Sequence, residues 1–392
     1  MKTNSKALSI YIHIPFCIRK CYYCDFLSGP ADTELQERYL QALVQEIRQE
    51  AVKYAGRQVS TVFIGGGTPS VISPEWIEKM LHTVFTCFYM AEENEITIEV
   101  NPGTVDEYQL SCYRKVGVNR LSIGLQSADN KELEKLGRIH SVEAFIHTYE
   151  NAVKSGFNNI NVDIMSAIPG QTLESYQKTL QKVLALNPQP SHISAYSLII
   201  EEGTPFYEDT PLLPDEETDR EMYKITNDIL EENGYHRYEI SNYAKMGYEC
   251  RHNKVYWQRG DYVGFGIGAA SLVDNVRFSN IRDIHDYINH MNNGNYDACK
   301  ETQESLSVEE QMEEYMFLGL RMITGVSKEG FARTFGKTMD EVYPGLIQRL
   351  QKQGLLRIYQ NEITEETYVT LTEYGLDVSN VVMAEFLLKS EN

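Results

Sequence analysis

Short aliphatic runs recur through the first half of the chain, each followed by a stretch with helical periodicity. The runs Ala7–Ile14, Val59–Ile64, Glu95–Val100, Arg120–Leu125, Ile160–Ala167 and His192–Ile199 are rich in Ile and Val, as buried parallel strands are. After the first run, Leu35, Tyr39, Leu43 and Ile47 fall at i+4 steps, and Gly56 follows that helix. Trp76, Ile77, Met80, Leu81, Val84 and Phe85 form a second helical stripe. Six such alternations predict right-handed crossovers and a parallel sheet. The fold class expected is α/β, a six-unit (β/α) partial TIM-like barrel.

The alternation fails after about Ile200. Residues 201–275 are rich in Tyr, Gly and charge and read as a mixed segment closing over the sheet. From about Ser307 the pattern is helical, with Met316, Leu318, Leu320 and Met322 ahead of Gly325. A helix Val342–Gln353 is expected next, then Gly354-Leu355-Leu356 and a short alternating stretch, Glu362–Leu371. Helices followed by a small hairpin predict a winged-helix-like unit. The divisions expected are a barrel core over 1–240, a mixed connecting segment over 241–305 and a C-terminal mixed and helical domain over 306–392.

Composition narrows the functional classes. The hydrophobic share of 42% supports a globular chain throughout. With 36 Lys+Arg against 56 Asp+Glu the net charge is −20, which repels phosphate backbones and argues against a nucleic-acid partner. Glu362, Glu365 and Glu366 argue in the same way against DNA docking by the winged-helix-like unit, leaving an interaction or lid role. The opening residues are too short and polar for an export signal, and no apolar run reaches the ~18 residues of a membrane span. A cytoplasmic chain without an integral membrane segment is expected.

Cys17, Cys21 and Cys24 crowd into one loop after the first strand, within Tyr11-Ile-His-Ile-Pro-Phe-Cys17-Ile-Arg-Lys-Cys21-Tyr-Tyr-Cys24-Asp-Phe26. In a chain without an export signal such crowding points to metal rather than disulfides. Three thiolates at C-x3-C-x2-C spacing can each take one iron of a cubane cluster, leaving the fourth iron open. Structural zinc would want a fourth Cys or His nearby, and His13 lies within the strand. Cys87, Cys112 and Cys299 have no ligand partner at useful spacing and read as ordinary thiols.

Further polar or Gly-rich elements fall at the ends of successive strands. These are Gly65-Gly66-Gly67-Thr68-Pro69, Glu99-Val-Asn101-Pro102, Gln126-Ser127, and Asp163 ahead of Pro169-Gly170-Gln171. Parallel α/β proteins bind ligands at the carboxyl ends of their strands. Each residue alone is commonly a cap or a solvated loop position; their recurrence on one face points to a ligand.

The cysteine loop resembles that of the radical S-adenosylmethionine (SAM) superfamily. The resemblance implies a 4Fe-4S cluster whose open iron is chelated by the amino and carboxylate groups of SAM. An electron from the cluster would then cleave the sulfonium to methionine and a 5′-deoxyadenosyl radical. By resemblance Gly66, Gly67 and Thr68 would receive the methionine amino group, and Glu99 would accept from ribose or ammonium donors. Gln126, Arg138 and Asp163 would complete the pocket, Arg138 pairing a carboxylate, with Tyr11 beside the cluster and Tyr23 on the adenine side.

Within the superfamily, Tyr-Ile-His-Ile-Pro-Phe-Cys, Gly-Gly-Gly-Thr-Pro, Ser122-Ile-Gly-Leu-Gln-Ser127 and Tyr238-Glu-Ile-Ser-Asn-Tyr243 resemble the branch of oxygen-independent coproporphyrinogen III oxidase. Gly264-Phe-Gly-Ile-Gly-Ala269 and Leu371-Thr-Glu-Tyr-Gly375 extend the likeness to the C-terminal region. Two features depart from the oxidase. Phe26 stands where it has a further Cys, and sixteen residues precede Cys17 where it has a long extension. Both departures, with His252-Asn-x-x-Tyr256-Trp257, resemble the haem chaperone sub-family of that branch.

That resemblance implies binding of haem and its transfer to an acceptor protein, with an electron donor as further partner if SAM is cleaved. The alternatives are coproporphyrinogen oxidation through the radical, or a radical enzyme with another substrate. His252 is the expected haem ligand through neutral imidazole, with Tyr256 and Trp257 flanking the macrocycle and Cys250 as a thiolate alternative. His236, His140 and His192 stand as substitutes. Against all of these, a lone histidine among aromatics is usually a packed one.

Overall fold

The computed structural model describes residues 6–388; the first five residues, on which the expectation of no export signal rests, lie outside them. β1 (Ala7–Ile14), β2 (Gln58–Gly66), β3 (Tyr89–Val100), β4 (Arg120–Gln126), β5 (Ile160–Ser166) and β6 (His192–Ser197) lie side by side in that order, all parallel. The crossovers carry α1 (Thr33–Glu50), α2 (Pro74–Cys87), α3 (Glu107–Lys115), α4 (Asn130–Lys135), α5 (Val142–Lys154) and α6 (Leu173–Leu184). This is the six-unit partial barrel that the alternation of aliphatic runs and helical stripes predicts.

The strands have two unlike faces, as the period of two requires. Leu8, Ile10, Ile12 and Ile14 of β1 are fully buried and belong to one apolar cluster with Tyr39, Leu40, Leu43 and Ile47 of α1. Burying each such aliphatic side chain contributes roughly 1.5–3 kcal/mol. The alternate residues Ser9, Tyr11 and His13 face inward, and the neighbouring strands add Thr61, Glu95, Thr97, Arg120, Ser122, Asn161, His192 and Ser194, all buried. The barrel is therefore aliphatic outside, under its helices, and polar inside.

The stretch after β6 behaves differently from its expected closing role. After α7 (Glu216–Glu232), β7 (His236–Glu239) and β8 (Asn242–Ala244) extend one edge, β8 running antiparallel to β6. α8 (Arg251–Trp257) does close over the barrel. β9 (Tyr262–Phe265) then pairs with β1, and β10 (Ala270–Val273), β11 (Val276–Asn280) and β12 (Lys300–Ser305) continue that edge as an antiparallel meander. A parallel core leaves unpaired backbone along both outer strands, and these segments satisfy it. One sheet of twelve strands results.

α9 (Ile284–Asn292) precedes a C-terminal unit with its own apolar cluster, centred on Met316, Phe331, Ile347, Val369 and Phe386. It contains α10 (Val308–Gly319), β13 (Val326–Ser327), α11 (Lys328–Phe335), α12 (Leu346–Lys352), β14 (Leu356–Gln360) and β15 (Thr367–Leu371), with β15 central in a three-stranded sheet. The single helix expected over Val342–Gln353 is broken. Pro344 offers no amide hydrogen and Gly345 takes φ +73°, so α12 starts only at Leu346.

A buried carboxylate ties the meander to the barrel. Glu46 of α1 accepts from the Gly266 amide at 2.8 Å, the Asn280 amide group at 2.6 Å and the Tyr287 hydroxyl at 2.6 Å. Replacing it by alanine strands three donors. Glu46→Ala should lower the unfolding free energy in urea by about 3 kcal/mol, and Glu46→Gln, which keeps one acceptor, by less. A loss under about 1 kcal/mol for the alanine variant would show that the edge holds without this tie.

Candidate functional site

The cysteine loop leaves β1 at Pro15 and is stitched down along its length. Cys17 donates its amide to Gly29 O at 3.0 Å, and Gly29 donates to Pro15 O at 2.9 Å. Tyr22 donates to Leu136 O at 3.1 Å and accepts from the Phe206 amide at 3.0 Å. From the next strand end, the Gly67 and Thr68 amides donate to Ile14 O and Phe16 O at 2.8 and 2.7 Å. The glycine run is demanded by this packing. A Cβ on Gly67 would lie 2.7 Å from Phe16 O and 3.0 Å from Cys17 Sγ, and one on Gly66 (φ +113°) would strike the His13 ring. The close approach that the glycines permit is thus to the protein's own cysteine loop.

Cys17, Cys21 and Cys24 are all free and partly exposed. Two of their sulfurs meet side-chain donors. The Thr68 hydroxyl lies 3.5 Å from Cys17 Sγ, and Arg138 Nη1 lies 3.7 Å from Cys21 Sγ. Arg138 Nη2 also donates to Gly124 O and Asn101 Oδ1, both at 2.9 Å. A cleft bordered by Ile18, Cys21, Thr68, Asn101, Arg138 and His140 opens beside these groups. Asn101 was visible in the sequence only as part of a strand end; its joining role depends on neighbours far along the chain.

The remaining expected residues gather around the same mouth. Glu99 accepts from the Gly66 amide at 3.0 Å. Burial, reinforced by Asp163, pushes its carboxyl up to about 8. Asp163 accepts from Asn161 at 2.8 Å and Ser122 at 3.1 Å, and burial raises it too. Gln126 takes φ +70° at a register shift between β4 and β5, which turns its side chain toward Gly124 and Arg138. Tyr23 packs with Leu136, Met165, Ile168 and Leu198. Tyr11 lies deeper, stacked on Phe63 with its hydroxyl 3.0 Å from His13 Nδ1.

This donor set fits a cluster with a bound amino acid. Among the described residues no His, Cys, Asp or Glu trio closes on a single ion, whereas a cubane takes one iron per thiolate. Arg138 Nε is buried with no partner, a donor to which a carboxylate can bind. The Thr68 hydroxyl accepts from Asn101 and has its one hydrogen directed at Cys17, and its backbone carbonyl accepts from the Val71 amide at 3.0 Å.

A barrel with three thiols and a glycine run at its mouth defines a radical SAM protein. The profile of the Radical SAM superfamily matches residues 11–183, and that of the HemN C-terminal domain matches residues 306–363. The heme chaperone HemW of Bacillus subtilis is 37% identical, over 97% of this chain and 99% of its own. That of Escherichia coli is 34% identical, over 97% and 98%. The chain belongs to the HemW family, within the radical SAM proteins that carry a 4Fe-4S cluster and SAM. Among solved structures, coproporphyrinogen III oxidase (HemN) from Escherichia coli superposes with a TM-score of 0.84 at 22% identity, covering 98% of this chain and 90% of that one, which shows a shared fold.

His252, the expected haem ligand, is placed away from the cysteine loop. It is the second residue of α8, at the amino ends of the strands, and is 1% exposed. Nδ1 lies 2.7 Å from Thr61 Oγ1 and Nε2 lies 2.8 Å from the Tyr256 hydroxyl, so both ring nitrogens are hydrogen-bonded within the chain. The Glu95 carboxylate accepts the Arg251 and His252 amides at 3.0 Å each, capping the helix that its own sequence leaves uncapped. Cys250 is equally unsuited as a thiolate: burial, despite Arg120, pushes its thiol up to about 12. His192 is buried between Asn161 and Tyr238, at 2.6 and 2.9 Å, and His236 is bonded to Glu249 at 2.8 Å. Trp257 points the other way, under the Arg321 guanidinium of the C-terminal unit at 4.2 Å. The motif is a floor to the barrel and a clasp for the unit beyond it.

Burial, with Arg120 nearby, lowers His252 from 6.5 to about 3. The unfolded chain therefore binds this proton more tightly than the folded one. The stability that neutral His252 contributes is complete above pH 6.5 and is lost as pH falls from 6.5 toward 3, by about 1.4 kcal/mol per pH unit. His252→Gln should show a shallower acid limb, by about one proton, in unfolding free energy against pH. Equal slopes in the two proteins would show that His252 is not held neutral.

Proposed function

We propose that this chain is a cytoplasmic haem chaperone. It binds haem and passes it to an acceptor protein; its relatives from Bacillus subtilis and Escherichia coli are heme chaperones. The observation that carries this reading is likeness to those chaperones over nearly the whole length of both chains. Phe26, 57% exposed in the cysteine loop where the oxidase has a cysteine, supports it. So do Ile18, Ile139 and Ile199, apolar residues exposed on loops at the same end, of a kind that can cover a macrocycle.

Cys17, Cys21 and Cys24 would each hold one iron. Glu99, Gln126, Arg138, Asp163, Tyr11, Tyr23 and the Gly66-Gly67-Thr68 turn would surround SAM, with the orphaned Arg138 Nε facing its carboxylate. When bound, the cluster and SAM supply one-electron chemistry, for which an electron donor would be a further partner. His252 would hold haem iron only if Thr61 or Tyr256 gave up its hydrogen bond to the ring.

Cluster-reconstituted protein incubated anaerobically with SAM, a reductant and coproporphyrinogen III should give no decarboxylated porphyrinogen by chromatography. The same protein should bind haem in an optical titration and yield it to a haem-free acceptor. Repeated turnover to the decarboxylated product would overturn the chaperone reading. For the SAM pocket, Glu99→Ala should weaken SAM binding by roughly tenfold or more in calorimetry, since a charge-assisted hydrogen bond is lost, with iron content unchanged. Unchanged affinity would remove Glu99 from the pocket.

A further inference from the structure

We infer that Asn101 is a positioning residue that aims two hydrogen-bond donors at the sulfurs of the cluster and so sets its reduction potential. The inference rests on the reading above that Cys17 and Cys21 hold iron. Asn101 lies between Thr68 and Arg138, with Nδ2 2.8 Å from Thr68 Oγ1 and Oδ1 2.9 Å from Arg138 Nη2. A guanidinium can only donate, so the amide oxygen must face Arg138 and the amide nitrogen must face Thr68. That fixes the direction of the whole string. Thr68 receives a hydrogen from Asn101, and its single hydroxyl hydrogen is left for Cys17 Sγ at 3.5 Å. At the other end Arg138, held by Asn101 and Gly124 O, presents Nη1 to Cys21 Sγ at 3.7 Å.

The amide itself cannot drift. Its backbone nitrogen donates to Ser70 Oγ at 3.1 Å, and its carbonyl accepts from the Thr104 hydroxyl at 2.7 Å. Ser70 and Thr104 are joined at 2.5 Å, and Ser70 is fully buried. One side chain on β3's following turn thus connects two cysteines of the β1 loop, four positions apart, through partners from two other loops.

Donors to the thiolates stabilise the more negative, reduced cluster and raise its potential. Asparagine does what the isosteric aspartate cannot. A carboxylate at this position would accept from both neighbours, so the Thr68 hydrogen would turn away from Cys17, and the added negative charge would partly neutralise Arg138.

The test is the midpoint potential of the reconstituted cluster without SAM, followed by electron paramagnetic resonance during a redox titration. Iron and sulfide are measured on the same samples. Asn101→Asp should lower the equilibrium constant for reduction about tenfold, which is about 59 mV for a one-electron couple. Thr68→Val, which removes only the Cys17 donor, should lower it about threefold, and Thr68→Ser, which keeps the hydroxyl, should match the parent. If Asn101→Asp and Thr68→Val keep full iron and sulfide and reduce at the parent potential, the inference is overturned while the cluster reading stands. If the parent itself holds no four-iron cluster, both are overturned.

Discussion

Everything in this structure follows from the polar inner face of the barrel. Six parallel strands can be held by aliphatic residues packed under helices on one side only, and here that side is the outer one. The inward side carries Glu95, Arg120, Asn161, Asp163 and His192, none of which tolerates burial without partners. At the floor α8 and its histidine supply many of the partners, although Thr97 Oγ1 and Arg120 Nε are left unpaired. At the mouth Arg138 Nε is unpaired as well, and there it lies beside three free thiols. It is the thiols, and not the unpaired guanidinium alone, that set the mouth apart.

Much of this was legible in the chain itself. The six core strands fall where the aliphatic runs lie, because burial under helices is a local demand written at alternate positions. The cysteine loop and the glycine run could be read because their spacing is short. His252 could not be placed that way. Its aromatic neighbours Tyr256 and Trp257 fit a porphyrin pocket and a packed floor equally well, and the choice is made by Thr61 and Glu95, far away in sequence. Asn101 escaped for a similar reason, since its side chain matters only once Thr68 and Arg138 have been brought to either side of it. The inward polar residues were present in every strand, yet the Ile and Val between them dominate the pattern.

The glycine run shows how one feature can invite two explanations. Glycines at a strand end suggest room for a ligand, and the mouth does lie beside them. The immediate cause is nearer: Phe16, Cys17 and His13 already fill the space that side chains would need. The turn clamps the cysteine loop first, and whatever ligand function it has depends on that clamp.

The cysteine loop also carries a consequence for the order in which the molecule can be completed. Its thiols precede along the chain most of the segments that hold the loop in place. Yet Tyr22 is fixed by Leu136 and Phe206, and β1 gains its second neighbour only from β9 at Tyr262–Phe265. These are contacts of long sequence separation, the kind that form late because so much chain must be ordered to make them. Until the segments around Leu136, Phe206 and Tyr262–Phe265 are in place, the cysteine loop lacks these contacts. Iron delivered before then would meet three thiols on an unanchored segment, and iron delivered afterwards a formed cradle.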